Sequence, residues 1–358
     1  MKKTLLTICL VWMCFSLSAQ KIIDLSGKWS FSIDRQDNGE KEKWFSHTLN
    51  DCINLPGSMP EKLKGDEVTA KTQWTGSLYD SSYYYNPYME KYRKEGNIKF
   101  PFFLTPDKHY VGAAWYQKEV NIPADWKGER ILLFLERPHI ETTVWVNGQK
   151  TGMQNSLCVP HQYDITHYVR PGKCTITIRV DNRIKEINVG PDSHSITDQT
   201  QGNWNGIVGR ICLQTTPKTY FDDIQIYPEP EQKLARVKVV IKGTGTAKVK
   251  LSAESFNTDK KHIVPAIQQE IKLNKGVTET EMVLPMGNDM LLWDEFHPAL
   301  YKLKAEVTNG KKTEIKEIQF GMRRFEIKGK WFYVNGRKTQ LRGTVENCDF
   351  PLTGYAPM

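Results

Sequence analysis

The sequence predicts an all-β protein built from antiparallel sandwiches, and three stretches carry that prediction. Ile131-Leu132-Leu133-Phe134-Leu135 is a short apolar run whose length suits a buried strand better than a helix. Thr142-Thr143-Val144-Trp145-Val146, rich in β-branched and aromatic residues, runs straight into Asn147-Gly148. That dipeptide is the strongest local hairpin signal, because both turn positions tolerate positive φ. Cys174 to Val180 alternates with period 2, so one face is expected inward and the other outward. Pro171-Gly172 punctuates the turn before it.

Taken in order, the chain opens with a leader. Lys2-Lys3 supply a positive end, Leu5 to Phe15 an apolar core and Ser16-Leu17-Ser18-Ala19 a small-residue exit, the pattern of a secretory signal peptide over 1–19. The apolar run is short for a bilayer span, and Cys9 and Cys14 lack the small residues of a lipid-attachment site. The mature protein is therefore expected to be exported to the periplasm or the extracellular space, without membrane insertion. Lys28 to Ile33 and Ile53 to Met59 read as strands, the first after a Ser26-Gly27 turn and the second around Pro56-Gly57. From Trp74 to Tyr110 the alternation breaks down, and Tyr79, Tyr83, Tyr84, Tyr85, Tyr88, Tyr92, Phe100, Phe102 and Phe103 are set among prolines and glycines. A long irregular loop of this kind is usually functional. Its rings either anchor the loop or offer faces on which sugar C–H groups pack; Tyr83, Tyr84 and Tyr85 are the candidates for substrate contact.

Val208 to Gln214 is expected to close the first domain, with Thr215-Thr216-Pro217-Lys218 as linker. Tyr220 to Tyr227, Ala235 to Ile241, Ala247 to Ser252, Ile263 to Leu273 and Leu300 to Val307 are short strands with turn-rich gaps, the pattern of an immunoglobulin-like sandwich. Trp331-Phe332-Tyr333-Val334 then meets Asn335-Gly336 in a second hairpin, and Thr339 to Gly343 reads as a further strand.

Composition excludes several classes. Net charge +8 is spread along the 358 residues, and clusters such as Glu90-Lys91-Tyr92-Arg93-Lys94-Glu95 mix both signs, so no nucleic-acid partner is expected. Beyond the leader stand Cys52, Cys158, Cys174, Cys212 and Cys348, an odd number with no Cys-x-x-Cys pair, which argues against zinc and a dense disulfide framework; at most a pair such as Cys158 and Cys174 bridges. His139, His161, His167 and His194 have no metal-ligand spacing and read as surface or hydrogen-bonded side chains. No Gly-x-Ser-x-Gly nucleophile elbow is present. Neither metal nor cofactor is expected.

Several motifs together resemble glycoside hydrolase family 2, the family of β-galactosidases, β-glucuronidases and β-mannosidases. They are Trp115-Tyr116-Gln117-Lys118-Glu119-Val120, Val144-Trp145-Val146-Asn147-Gly148, Tyr163-Asp164-Ile165-Thr166, Arg179-Val180-Asp181-Asn182 and Asn205-Gly206-Ile207-Val208-Gly209-Arg210. Leu291-Leu292-Trp293 with Pro298-Ala299-Leu300-Tyr301, Phe320-Gly321-Met322-Arg323, and Val334-Asn335-Gly336 with Leu341-Arg342-Gly343 continue the series in family order. The resemblance implies a jelly-roll sugar-binding domain over 20–217, an immunoglobulin-like domain over 218–322, and over 323–358 the start of a (β/α)₈ barrel, a fold of roughly 250 residues. It implies an exo-acting retaining β-glycosidase, β-galactosidase-like, acting on a terminal β-linked sugar. Both catalytic carboxylates would lie on later barrel strands, so this chain alone is expected to be inactive; a non-catalytic carbohydrate-binding protein is the alternative. Asp198 stands before Gly206 at the spacing of the family aspartate that reaches into the sugar pocket, and is otherwise a turn Asp ordering its own backbone. Trp204 beside it reads as a packing residue. After Leu341-Arg342-Gly343 the family continues Val-Asn-Arg-His, whereas here stand Thr344-Val345-Glu346-Asn347. Asn347 takes the place of the pocket histidine, which puts galactose-type recognition in doubt. Glu346 is assigned neither catalytic role.

Overall fold

The computed structural model describes residues 21–76, 81–100, 106–157, 159–185, 193, 197–198 and 202–344. The expected signal peptide, Cys158, His194, Glu346, Asn347 and Cys348 lie outside the described residues. Two compact units are present, Lys21–Thr216 and Pro217–Leu341. Both are all-β.

The first unit begins with β1 (Ile22–Asp24), β2 (Gly27–Asp34), β3 (Asp51–Leu55) and β4 (Gly57–Ser58). A short ribbon of β5 (Asp66–Glu67) and β6 (Lys108–His109) brackets the aromatic segment, which holds a helical turn at Ser82–Tyr85 and a 3₁₀ stretch at Pro87–Tyr92. Then come β7 (Ala113–Ile122), β8 (Arg130–Pro138), β9 (Glu141–Val146), β10 (Gln149–Asn155), β11 (His161–Asp164), β12 (Gly172–Asp181) and β13 (Gly206–Thr216). One sheet runs β1-β13-β8-β11 with β4 beside β13, and the other β10-β9-β12-β7-β2-β3, all antiparallel. Asn147 (φ 50°) and Gly148 (φ 78°) form the tight turn between β9 and β10 that the dipeptide predicts.

Period 2 places Ala114, Tyr116, Val120 and Ile122 of β7 against Ile176, Ile178 and Val180 of β12, and opposite them Leu133, Leu135, Ile211 and Leu213 close the core. Each such side chain, fully buried, contributes roughly 1.5–3 kcal/mol. The alternation over Cys174–Val180 predicts a second, outward face. In the structure that face is covered too: Thr177 and Arg179 are buried. The reason is the segment 34–49, which folds over it. Trp115 and Trp145 stack at 5.0 Å beneath Leu49, Trp44 and Phe45. Asp34 pins this cover, accepting from Asn38 N and Gly39 N at 2.8 Å and from Trp115 Nε1 at 3.0 Å. Cys52, Cys174 and Cys212 are free, so the bridge expected at Cys174 is not formed; the thiol is buried on the core face of β12.

The second unit is a sandwich of a three-stranded sheet and a four-stranded one. Its strands are β14 (Tyr220–Glu229), β15 (Leu234–Lys242), β16 (Gly245–Phe256), β17 (Ile263–Leu273), β18 (Val277–Pro285), β19 (Leu300–Asn309) and β20 (Lys312–Phe320), in the orders β14-β15-β18 and β17-β16-β19-β20. Val237, Val239 and Ile241 of β15 face Val249, Leu251, Leu303 and Val307. A meander of β21 (Phe325–Lys328), β22 (Trp331–Val334) and β23 (Arg337–Thr339) follows. Asn335 and Gly336 take φ 51° and 77° at its hairpin. The strand expected over Thr339–Gly343 stops at Thr339, and Leu341 beyond it is exposed. Among the described residues no helix is long and apolar enough to cross a membrane.

Candidate functional site

At one end of the first sandwich, the outgoing end of β12, the start of β13 and the approach to β7 meet the Asp198 loop. The meeting is made almost entirely by polar side chains that are nearly or fully buried. Asn182 accepts from Gly112 N at 2.8 Å and donates to Tyr110 O at 2.9 Å. Asn205 accepts from Tyr116 Oη at 2.8 Å and donates to Gly112 O and Val180 O at 2.9 and 3.0 Å. Burial pushes the Tyr116 phenol well above its ordinary pKa, so it is a fixed donor. Asn203 donates to Thr75 Oγ1 and to Asn182 O, both at 3.0 Å. Gly206 (φ +149°) lets Asn205 approach: a Cβ there would stand 2.4 Å from Gly57 O. The dense pairing is what burial of amides demands. Asn205→Ala removes three of these bonds and leaves Tyr116 Oη, Gly112 O and Val180 O short of a partner. It is expected to cost the first unit about 2–4 kcal/mol in urea unfolding.

Asp198 sits within this knot, 1% exposed. Its Oδ2 accepts from Thr75 N at 2.6 Å and its Oδ1 from Asn203 N at 2.7 Å, while its own N–H donates to Thr75 O at 3.0 Å. His109 Nε2 lies 3.3 Å from Oδ2. In this structure the carboxylate ties the 75 loop to the 203 loop. Trp204 packs face to face on His139, with ring centres 4.6 Å apart. Burial drives the His139 imidazole down to about 4, against the opposing pull of Asn203 and Asp198.

Tyr83 is buried. Its ring stacks on Phe100 at 4.6 Å and its hydroxyl donates to Tyr92 O at 2.8 Å, so it presents no face to a ligand here. Tyr84 and Tyr85 are exposed. Phe100 in turn meets Trp74 edge-on at 5.0 Å, and Trp74 meets His109 at 4.8 Å. Tyr83, Phe100, Trp74, His109 and Asp198 thus form one continuous line of contacts. Trp74 and His109, the middle of that line, went unmarked in the sequence reading, because no spacing relates them to Asp198. Asn347 lies outside the described residues.

A second polar cluster lies on the outer face of β12. Asp181, fully buried, accepts from Arg179 Nη2 at 3.0 Å, from Arg183 Nη2 at 2.6 Å and from Lys185 Nζ at 2.9 Å. Burial works against its charge, but the Arg183 and Lys185 hydrogen bonds and the Arg179 charge hold it well below the usual carboxylate range. A carboxylate so held does not donate protons near neutrality. Among the described residues no group of three or more His, Cys, Asp or Glu could hold a metal ion.

The family profile described as "Glycosyl hydrolases family 2, sugar binding domain" matches residues 22–217, and "Glycosyl hydrolases family 2" matches residues 219–323. The chain belongs to glycosyl hydrolase family 2. Among curated family-2 proteins it is similar to the β-glucuronidase of Paenibacillus borealis, 23% identical over 355 residues, covering 94% of this chain and 51% of that protein. It is similar also to the β-galactosidase large subunit of Latilactobacillus sakei, 23% identical over 339 residues, covering 92% of this chain and 51% of that protein. The fold resembles the Ruminococcus gnavus β-glucuronidase solved in complex with D-glucuronic acid: TM-score 0.65, 19% identity, 95% of this chain and 52% of that one. The chain thus spans about half the length of these relatives.

Proposed function

We propose that this chain is the sugar-recognising part of an exported, exo-acting, retaining β-glycosidase, with both catalytic carboxylates outside these 358 residues. The observation that supports it is the tandem match of the two family-2 profiles onto the two sandwich units, in relatives twice as long that carry β-glycosidase names. Retaining hydrolysis needs two carboxyl groups about 5 Å apart across the glycosidic bond, one protonating the leaving oxygen and one attacking. The buried carboxylates here serve other ends: Asp198 is bound to backbone amides and Asp181 to three cations. In that reading a jelly-roll and an immunoglobulin-like sandwich precede, in chain order, a barrel that would hold the pocket for a terminal β-linked sugar. The leader pattern of 1–19 is what supports export to the periplasm or beyond in this reading.

The purified 358-residue chain is expected to give no turnover of p-nitrophenyl β-glucuronide or β-galactoside. Hydrolysis above background would overturn the placement of the carboxylates. Sequencing past the Met358 codon tests the larger reading. An open frame with two glutamates on barrel strands supports the glycosidase, while an immediate stop codon would leave a carbohydrate-binding protein.

A further inference from the structure

The leader pattern closes on Ser16-Leu17-Ser18-Ala19, and Ala19 is the last small residue before β1: Gln20 and Lys21 stand between them. Export peptidases cut behind a small residue, so a cut after Ala19 makes Gln20 the new N-terminus. We propose that Gln20 is then a modification site, closing on itself to an N-terminal pyroglutamate that seals the free end of β1. The proposal rests on the export reading. Gln20 lies outside the described residues; its reaction follows from its side chain, and the use of that reaction from what Lys21 and β1 do.

A glutamine with a free α-amine carries nucleophile and electrophile in one residue, which makes their reaction unimolecular. The unprotonated amine attacks Cδ of the side-chain amide, a bond forms between the two, and the Cδ–Nε2 bond breaks. The proton given up by the amine goes to the departing nitrogen, which leaves as ammonia. The product is a five-membered lactam, and no oxidant, reductant or cofactor enters. An α-amine has a pKa of about 7.7–8.0, so a share of it is unprotonated at neutral pH. Asparagine, one methylene shorter, would have to close a strained four-membered ring.

The structure shows what a sealed end protects. The chain joins the sheet at Lys21: its N–H donates to Thr215 Oγ1 at 3.2 Å and its carbonyl accepts from Thr215 N at 2.9 Å. Its Nζ donates to Asp125 O at 3.1 Å and to Asp125 Oδ2 at 2.6 Å. β1 follows at once, pairing Ile22, Ile23 and Asp24 with Gln214, Leu213 and Cys212. It is an edge strand of 3 residues, laid against β13, with Ile23 packed on the core. An aminopeptidase starting at Gln20 would next take Lys21 with its bonds and then peel the strand, because a terminal edge strand opens more readily than the core. A lactam offers such an enzyme no α-amine. Cyclisation also leaves the Gln20–Lys21 peptide bond, and with it the Lys21 N–H bond to Thr215, unchanged.

The test is N-terminal analysis of the 358-residue chain expressed with its own leader and recovered from the periplasm or the medium. The intact mass is expected to be that of residues 20–358 less one ammonia, about 17 Da. Stepwise N-terminal sequencing should be blocked, and pyroglutamyl aminopeptidase should unblock it to read Lys21-Ile22-Ile23. Gln20→Asn is expected to be exported alike but to give a free, sequenceable terminus, which a broad-specificity aminopeptidase trims while the parent stays whole. A free Gln20 amine in the parent, or a mature chain that begins at any other residue, would overturn the proposal and leave export standing. Equal trimming of parent and variant would overturn the protective role. A chain that keeps residues 1–19 and stays in the cytoplasm would overturn the export reading together with the proposal. The glycosidase reading is tested separately, by turnover and by the downstream sequence.

Discussion

Asp181→Ala is expected to lower the stability of the first unit by about 3–5 kcal/mol, the cost of stranding buried charge. Asp181 has no exposure, and three cations converge on it from Arg179, Arg183 and Lys185. Its Oδ1 also accepts the Arg183 backbone N–H at 3.0 Å, so the same carboxylate caps the chain as it leaves β12. Once it is removed, Arg179, with a side chain 8% exposed, keeps only Asp37 at 2.6 Å and Glu141 at 3.4 Å. Asp181→Asn keeps the size and one acceptor oxygen but sets an NH2 donor against the surrounding N–H donors, so it should destabilise as well. Urea unfolding followed by tryptophan fluorescence reports this directly, because Trp115 and Trp145 lie on the same face of that sheet. A loss below about 1 kcal/mol would mean that Asp37 and Glu141 absorb the freed cations, and that Asp181 is dispensable.

Mild acid is expected to destabilise the same unit through His139. In the unfolded chain a histidine binds its proton below about pH 6.5; in the folded one burial lowers His139 to about 4. Between those values the unfolded state binds more protons, so stability rises with pH across the window and is lost as pH falls through it. The penalty amounts to roughly 3 kcal/mol, complete near about pH 4. His161, whose pKa burial also lowers against the Ser156 carbonyl, adds to it in the same direction. His139→Phe keeps an aromatic ring against Trp204 and removes the titration. Melting temperatures from pH 7 to 4 should therefore fall less steeply in that variant, with His161 contributing to the slope that remains. An unchanged slope would assign the acid sensitivity elsewhere. Carboxylates act lower: Asp181, Asp37 and Asp164 have depressed values, so their contributions are present above the ordinary carboxylate range and are lost as pH falls below it.

How much of this was legible in the chain differs by the range of the interaction. Asn147-Gly148 and Asn335-Gly336 announce their hairpins because positive φ is a property of two adjacent residues. Strands such as Gly172–Asp181 and Leu300–Asn309 announce themselves because side chains alternate locally. The cover over the outer face of β12 was invisible, since Asp34 reaches Trp115 across 81 positions. The role of Tyr83 was ambiguous for the same reason. Its sequence neighbours Tyr84 and Tyr85 are exposed, and only contact with Phe100 and Tyr92 turns it inward. Asp198 could be marked by its spacing, but not its partners Thr75 and His109, which come from a segment of no regular pattern.

By itself the sequence determined the all-β class, the principal hairpins and, through motifs in order, the family; each rests on backbone preference or on spacing along the chain. The tertiary structure alone decided which polar groups are buried together. It joined Asn182, Asn203, Asn205 and Asp198 into one knot and set Asp181 among three cations. A buried amide or carboxylate accepts whatever donor folding brings to it, and nothing in the local chain specifies which donor that will be.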